Sequence, residues 1–210
     1  MYVTSPRGEE PPVLVIADRQ GAQPIELGQP GAAEPDWSPD GTSIVFSKSA
    51  GGDGRTEIWS IGVDGSNSHR IAGTKSGAVG QPRWTPDGGQ IIFTQSSPTT
   101  NDDVMIMNAD GAGARPLFET DGYDYSGSIQ DGRLLHVLDG RVHSADNASP
   151  DTDKPITNGP NDGDPALAVD GRTLAYVHQG NIYLQGPGES ACLPVGSNVQ
   201  DGLRWSPATA

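Results

Sequence analysis

Four carboxylates in this sequence could perform chemistry if the fold brought them together, namely Glu34, Asp36, Asp164 and Asp201. Glycoside hydrolysis needs two or three carboxylates that converge on one sugar ring, with one acting as general acid. Ser, His and Asp are also plentiful, but the chain lacks the Gly-x-Ser-x-Gly turn typical of hydrolases with a serine nucleophile. Glycoside cleavage is therefore one alternative, and no serine-hydrolase site is predicted.

The histidines bear on whether the chain binds a metal ion. A histidine-based site needs two or more imidazoles that converge, and the spacing of the four histidines gives no sign of convergence. His136 stands where other copies of a repeat, described below, have Phe or Tyr, so we expect it to pack in a core. The acidic run 161–164 does not match a twelve-residue calcium loop. The sequence thus predicts no metal site and no cofactor, and the histidines concerned are His69, His136, His143 and His178.

Composition restricts the classes of partner. The 210-residue chain has a net charge of −14 at pH 7, so it lacks the excess of Lys and Arg that binds a phosphate backbone or an anionic membrane. Cys192 is the only cysteine, which excludes an internal disulfide and a thiolate metal site. The apolar run 13–17 is far too short to span a membrane, and no export signal follows Met1. We expect neither nucleic-acid binding nor membrane insertion, and composition leaves the compartment open.

One short sequence recurs along the chain and organises the rest of it. Residues 35–41 read Pro-Asp-Trp-Ser-Pro-Asp-Gly, and residues 82–88 read Pro-Arg-Trp-Thr-Pro-Asp-Gly. A third copy at 203–207 reads Leu-Arg-Trp-Ser-Pro, and weaker copies surround 131–132 and 170–171. Proline sets the backbone angle at a turn's second position, and glycine supplies the positive φ of a tight hairpin. Each full copy therefore predicts a strand, a hairpin turn and a second strand.

Short β-branched and apolar runs follow each copy and are bounded by turn residues. No segment has a sustained apolar period of 3.6 residues, so we expect essentially no helix. A second loop, such as 63–67 or 109–113, and a fourth short strand complete the unit. The pattern predicts four-stranded antiparallel meanders, with strands A to D, in an all-β protein. The runs expected as strands include 44–46, 58–61, 91–93, 104–107, 134–137, 174–177 and 182–184.

Four-stranded units that recur about every 40 residues are typical of β-propeller blades, which bury their faces only by stacking radially. The first unit lacks a strand A, because residues 1–4 match strand B of another unit, whereas 203–207 is a strand A without its B, C and D. Pairing of these two segments in one blade predicts a closed ring of five blades, and a fragment of a larger ring is the alternative. The expected blades of this single domain, 1–210, are 203–210 with 1–29, 33–73, 80–118, 122–158 and 163–197.

The Pro-x-Trp-Ser-Pro-Asp-Gly runs, with Ile-x-Phe on the next strand and Asp-Gly after strand C, resemble the repeats of TolB-like propellers, the Pro-Asp relatives of the WD repeat. The resemblance is strong over 33–118, moderate over 163–197 and weak over 122–158, where Ser128 stands in the Trp position. It implies a propeller fold and an extracytoplasmic or secreted location. Rings of this family usually have six or seven blades and serve as scaffolds, sensors, partner docks and enzyme gates, so the resemblance does not choose a function.

In the resembled fold, strand A is innermost and lines the central channel, so the residues just before each Trp position are expected to ring one mouth of that channel. They mix acids with arginines, which suits a polar peptide or a patch on a partner protein. Solvated loop residues that pair with one another are the alternative. The expected partner-binding residues are Glu34, Asp36, Gln81, Arg83, Tyr125, Asp164, Asp201 and Arg204.

Together these patterns favour a monomeric, non-catalytic propeller module that docks a protein or peptide at the channel mouth. Two alternatives from other classes stay open. One is a five-bladed propeller that binds or cleaves carbohydrate, and the other is a structural or engineered ring without a ligand. Neither an enzymatic activity nor a cofactor is expected on the favoured interpretation.

Overall fold

The computed structural model describes residues 2–4, 11–17, 24–52, 54–74, 77–96, 102–118, 124–130, 132–146, 149–168, 172–186 and 193–197. For residues 2–4, 125–128, 130 and 193–197 the backbone alone is described. Within these ranges the chain is all-β apart from one short 3-10 helix, and none of the helical structure there could cross a membrane. The chain divides into two compact units, Met1–Pro116 and Leu117–Ala210, which are taken separately below.

The first unit contains three antiparallel sheets in which each strand pairs with the next along the chain. The first sheet has three strands and the other two have four. The strands of the first sheet are β1 (Tyr2–Thr4), β2 (Val13–Ile16) and β3 (Ile25–Gly28). Those of the second are β4 (Ala32–Trp37), β5 (Ser43–Ser49), β6 (Thr56–Gly62) and β7 (His69–Gly73). Those of the third are β8 (Ala78–Trp84), β9 (Gln90–Ser96), β10 (Asp103–Asn108) and β11 (Arg115–Pro116).

The second unit contains two sheets of four strands with the same sequential antiparallel order. The fourth sheet comprises β12 (Asp124–Gln130), β13 (Arg133–Leu138), β14 (Arg141–Asp146) and β15 (Lys154–Pro155). A 3-10 helix at Pro150–Thr152 lies between its last two strands. The fifth sheet comprises β16 (Asp162–Leu167), β17 (Leu174–His178), β18 (Asn181–Gln185) and β19 (Leu193–Ser197).

Neighbouring sheets bury their faces against each other. In the first unit, Leu14 of the first sheet packs with Ile44 and Phe46 of the second, and all three are fully buried. On the other side of the second sheet, Val45 packs in one cluster with Phe93 of the third. Successive residues of β5 therefore face opposite sides of their sheet, as a strand requires, and both sides are covered. The apolar runs of the B strands follow from this double burial.

The same stacking holds within the second unit. Leu135 and Val142 of the fourth sheet form a cluster with Leu174 and Tyr176 of the fifth. Each sheet is too thin to form a core alone, so the contact between sheets supplies the apolar burial that stabilises both.

The recurring Ser/Thr-Pro-Asp-Gly sequence forms a hairpin turn closed by its own side chains. Gly41 has a φ of 71°, and its N–H donates to the Ser38 carbonyl at 2.9 Å. Asp40 Oδ1 accepts the Ser38 hydroxyl at 2.6 Å and the Thr42 N–H at 3.0 Å. The second copy repeats these contacts, because Asp87 Oδ1 accepts the Thr85 hydroxyl at 2.6 Å and an N–H two residues further on at 3.0 Å. The motif therefore encodes the turn between the first two strands of these sheets.

Most of the sequence predictions about architecture are confirmed within the described residues. The all-β composition, the sequential meanders and the expected strand runs are all present. The first sheet has strands that correspond to the predicted B, C and D. The predicted strand A at 203–207 lies outside the described residues, so closure into a five-bladed ring stays a prediction.

The turn aspartates make the stability depend on pH. The Ser38 hydroxyl and the Thr42 N–H lower the pKa of Asp40, and the Thr85 hydroxyl and the Gly89 N–H do the same for Asp87. A carboxylate whose pKa is lowered by folding stabilises the fold above its unfolded pKa, and this contribution disappears as pH falls through the folded pKa. Asp87→Ala should therefore lower the melting temperature at neutral pH, and the deficit should shrink below about pH 4. Melting curves of both proteins across this range check it, and a deficit independent of pH would contradict it.

Candidate functional site

A backbone irregularity recurs in the first strand of three four-stranded sheets. The pairing of these strands shifts register between Ala33 and Asp36, between Gly80 and Arg83, and between Gly163 and Ala166. A non-glycine residue at each shift has positive φ, in a region that costs L-residues roughly 1–2 kcal/mol. Such bulges redirect side chains and are common beside functional sites. The three residues are Glu34 (φ 51°), Gln81 (φ 52°) and Asp164 (φ 46°).

In the first unit, two predicted site residues connect the second and third sheets. Glu34 Oε2 accepts the backbone N–H of Gln81 at 2.7 Å and the Ser47 hydroxyl at 2.8 Å. Asp36 Oδ2 accepts the backbone N–H of Trp84 at 2.9 Å. Each carboxylate of β4 therefore binds an amide of β8, which holds the two strands side by side.

The bulge also explains two local choices of residue. Gln81 repeats the role of Glu34 towards its own sheet, because its Oε1 accepts the Thr94 hydroxyl at 3.0 Å. Gly80 gives the carboxylate room, since a Cβ at that position would lie only 3.0 Å from Glu34 Oε2. The bulges are thus specific hydrogen-bonded structures.

The predicted site residues differ in what the structure shows of them. In the first unit, Glu34 and Asp36 of β4 lie beside β8, which carries Gln81 and Arg83. Arg83, however, is only 7% exposed, and its Nη1 donates to the Pro82 carbonyl at 2.8 Å, so it is a buried group. Tyr125 and Asp164 lie in the second unit, on β12 and β16, and Asp164 is half-buried. Asp201 and Arg204 lie outside the described residues.

A second cluster was missed by the sequence analysis. In the fourth sheet, His136 Nε2 lies 2.8 Å from Asp153 Oδ1, and His143 Nδ1 lies 2.9 Å from Asp153 Oδ2. The expectation that no two imidazoles converge is therefore wrong, because these two occupy directly opposite positions on β13 and β14. The expectation that His136 packs in a core is confirmed, since it is fully buried.

The surroundings of this cluster, here called the His–Asp–His cluster, are largely apolar. The ring of Phe118 stacks on that of His136 with centroids 4.2 Å apart. Burial raises the pKa of Asp153, but the hydrogen bonds from the two imidazoles outweigh it and hold that pKa below its ordinary value. His136 Nδ1 is buried without a hydrogen-bond partner. The cluster thus combines a carboxylate whose charged form is favoured with a buried imidazole nitrogen that has no hydrogen-bond partner.

One signal in the sequence could have revealed the pair. His136 and His143 lie on consecutive strands at equal distances from the Asp139-Gly140 turn, which places them opposite each other. The approach of Asp153 could not be read in this way, because it depends on the path of the chain through the 3-10 helix. A further imidazole–carboxylate contact lies in the second unit, where His178 Nδ1 is 2.6 Å from Asp162 Oδ1. This contact involves one imidazole, whereas the cluster has two.

Sequential four-stranded antiparallel sheets stacked face to face are the blades of a β-propeller. The chain belongs to the TolB beta propeller domain family, whose model matches residues 4–185. No curated protein sequence matches it significantly.

Solved structures with the same fold come from proteins of several kinds. TolB from Acinetobacter baumannii has a TM-score of 0.71 and 21% identity, over 89% of this chain and 49% of that chain. A chain of a nidogen/laminin complex has a TM-score of 0.66 and 15% identity, over 87% and 70%. Puromycin hydrolase has a TM-score of 0.65 and 18% identity, over 93% and 36%. The chain spans about half the length of the TolB structure, and at these identities the likeness shows the fold alone.

Removing the Glu34 carboxylate should weaken the first unit. Glu34→Ala deletes two hydrogen bonds, one of which joins β4 to β8, whereas Glu34→Gln keeps an oxygen that can accept both. Since the side chain is exposed, we expect a loss of about 1–2 kcal/mol for Ala and less than about 1 kcal/mol for Gln. Urea unfolding measures both values, and equal stability of the Ala variant and the unmodified chain would show that the bridge contributes nothing.

Proposed function

We propose that this chain is a non-catalytic, monomeric binding module that docks a protein or peptide at the bulges of β4 and β8 in the first unit, marked by Glu34 and Gln81. The observation that carries the proposal is the recurrence of a left-handed, non-glycine residue at the same position of three sheets. Because each such residue costs free energy, its repetition favours a role beyond turn formation. Membership of the TolB beta propeller domain family supports the proposal and an extracytoplasmic location.

The charge of the described residues indicates what the partner would present. Glu34 is exposed and Asp36 is half-buried, whereas Arg83 is buried and unsuited to contact with a ligand. Both hydrogen bonds of Glu34 go to Oε2, so Oε1 can accept a donor from outside. With a net charge of −14, the chain would also attract cationic partners over a distance. We therefore propose that the docked segment carries Lys or Arg.

Binding can be tested with substitutions that preserve the local hydrogen bonds. The double variant Glu34→Gln, Asp36→Asn removes two charges but keeps acceptor oxygens for the amides of Gln81 and Trp84. Asp110→Asn is a matched control, because Asp110 is an exposed carboxylate that accepts the N–H of Ala112 in the loop after β10. Peptides selected from a random display library against the unmodified chain should contain Lys or Arg and should bind the double variant at least about tenfold more weakly.

The outcomes of this experiment separate the candidate functions. Equal binding of the selected peptides to the double variant and the control would place the docking surface elsewhere. Failure to select any peptide, together with binding on a glycan array or release of reducing sugar, would instead favour the carbohydrate alternative. A lack of ligand in all three assays would favour a structural ring.

We also propose that residues 203–207 supply strand A to the first sheet and close a ring of five blades. In the four-stranded sheets, the first strand pairs with the second, and the corresponding edge of the first sheet is β1. Residues 204–207 read Arg-Trp-Ser-Pro. Residues 83–86, where the first strand of the third sheet ends and its turn begins, read Arg-Trp-Thr-Pro. An inner strand added to β1 would remove an exposed sheet edge.

Deletion of residues 203–210 tests this closure. We expect the melting temperature to fall by about 6–12 °C, because a loss of roughly 3 kcal/mol lowers it by about 2–4 °C for each kcal/mol in a domain of this size. Deletion of residues 208–210 alone, which retains the strand, should change it little. A monomer that lacks 203–210 and melts as the full chain does would disprove the closure.

A further inference from the structure

We propose that the His–Asp–His cluster of the fourth sheet, formed by His136, His143 and Asp153, is a binding site for a transition-metal dication of the Zn²⁺ type. The three side chains offer two imidazole nitrogens and one carboxylate oxygen that lie within 4.8 Å of one another. This site belongs to a single unit and is independent of the docking surface proposed above.

The position of the two histidines sets this sheet apart from the others. His136 and His143 form a directly opposed cross-strand pair. The residues at this pair are apolar or aromatic in the other four-stranded sheets. The corresponding pairs are Phe46 with Trp59, Phe93 with Met105, and Tyr176 with Tyr183.

Replacing an aromatic core pair by two imidazoles sacrifices apolar burial and brings polar atoms into the interior. The fourth sheet nevertheless keeps both imidazoles and brings a carboxylate to them through the 3-10 helix Pro150–Thr152. Packing alone does not call for this arrangement, because the other sheets fill the same space with apolar groups. A bound cation would account for all three polar side chains at once.

Binding of a small cation requires the three ligand atoms to adjust their separations. The nitrogen-to-oxygen separations are 2.8 Å for His136 and 2.9 Å for His143, each to a different carboxylate oxygen. One ligand atom from each residue lies within 4.8 Å of the others. Zn²⁺ binds imidazole nitrogen and carboxylate oxygen at about 2.0–2.2 Å with tetrahedral angles, which requires ligand atoms roughly 3.4 Å apart, so the widest separation must shrink by up to about 1.4 Å. Asp153 can move, because its side chain is 18% exposed and it lies in the loop between β14 and β15.

The donor set and its access define the class of metal. Two nitrogens and one oxygen suit Zn²⁺, Co²⁺, Ni²⁺ or Cu²⁺, whereas Ca²⁺ and Mg²⁺ prefer all-oxygen sites. His136 is fully buried, but the His143 side chain is 11% exposed, so an ion can enter from the side of His143 and Asp153. Three protein ligands leave a tetrahedral ion one position for water. The carboxylate supplies one negative charge against the two positive charges of the ion.

Zn²⁺ titration of the full chain by calorimetry, in a buffer that does not chelate metal, tests the proposal. The unmodified chain should bind one Zn²⁺. His136→Phe introduces the residue that Phe46 and Phe93 provide at this position, so it should fold, and Asp153→Asn removes the charge. Both variants should bind Zn²⁺ at least about 100-fold more weakly, because loss of a residue that only supports a ligand already costs about 10–100-fold. His178→Phe is the matched control, because it removes an imidazole that also contacts a carboxylate, and it should bind as the unmodified chain does.

Two further measurements keep the result interpretable. Co²⁺ should give the visible absorption of a tetrahedral site in the unmodified chain and in His178→Phe, and not in His136→Phe. Circular dichroism and melting curves establish that each variant is folded. The proposal is overturned if the unmodified chain binds no Zn²⁺ at millimolar concentration, if His136→Phe binds Zn²⁺ as tightly as the unmodified chain, or if Ca²⁺ binds as well as Zn²⁺.

Discussion

The burial of each sheet against its neighbour is the constraint on which the structure depends. A meander of four short strands has two faces and too few residues to cover either of them, so its apolar side chains are stabilised only by the next sheet. β5 shows this directly, because Val45 faces the third sheet and its neighbours Ile44 and Phe46 face the first. The apolar residues of the B strands supply the side chains that become buried when the sheets stack.

The first strands of these sheets also carry contacts that regular pairing does not require. Within β4 and β8 the regular pairing is interrupted and the chain adopts positive φ at Glu34 and Gln81, and the carboxylates of β4 hold the neighbouring strand β8. The same carboxylates that connect two sheets are the ones that we propose for contact with a partner. Arg83, which the sequence suggested for contact with a partner, is buried instead.

The His–Asp–His cluster shows that equivalent positions in a repeat need not keep equivalent chemistry. This cross-strand position holds two imidazoles in the fourth sheet and apolar or aromatic pairs in the other four-stranded sheets, and the strand order is the same in all of them. Phe118 still packs on the His136 ring as it would on an aromatic side chain. A repeat architecture thus allows one blade to acquire a polar site while the other blades keep their apolar pairs.

The sequence by itself determined the strands, the turns and the meander order, because these depend on local patterns such as Ser38–Gly41 and the apolar run 44–46. It also indicated which residues precede the Trp positions, and hence part of the candidate docking surface. Only the tertiary structure decided that Arg83 is buried, that Glu34 binds an amide 47 residues away, and that Asp153 meets two histidines. The repeat spacing places Glu34 and Gln81 at equivalent positions, but it does not show that their strands contact each other, because that depends on how sheets stack and where bulges and loops direct side chains.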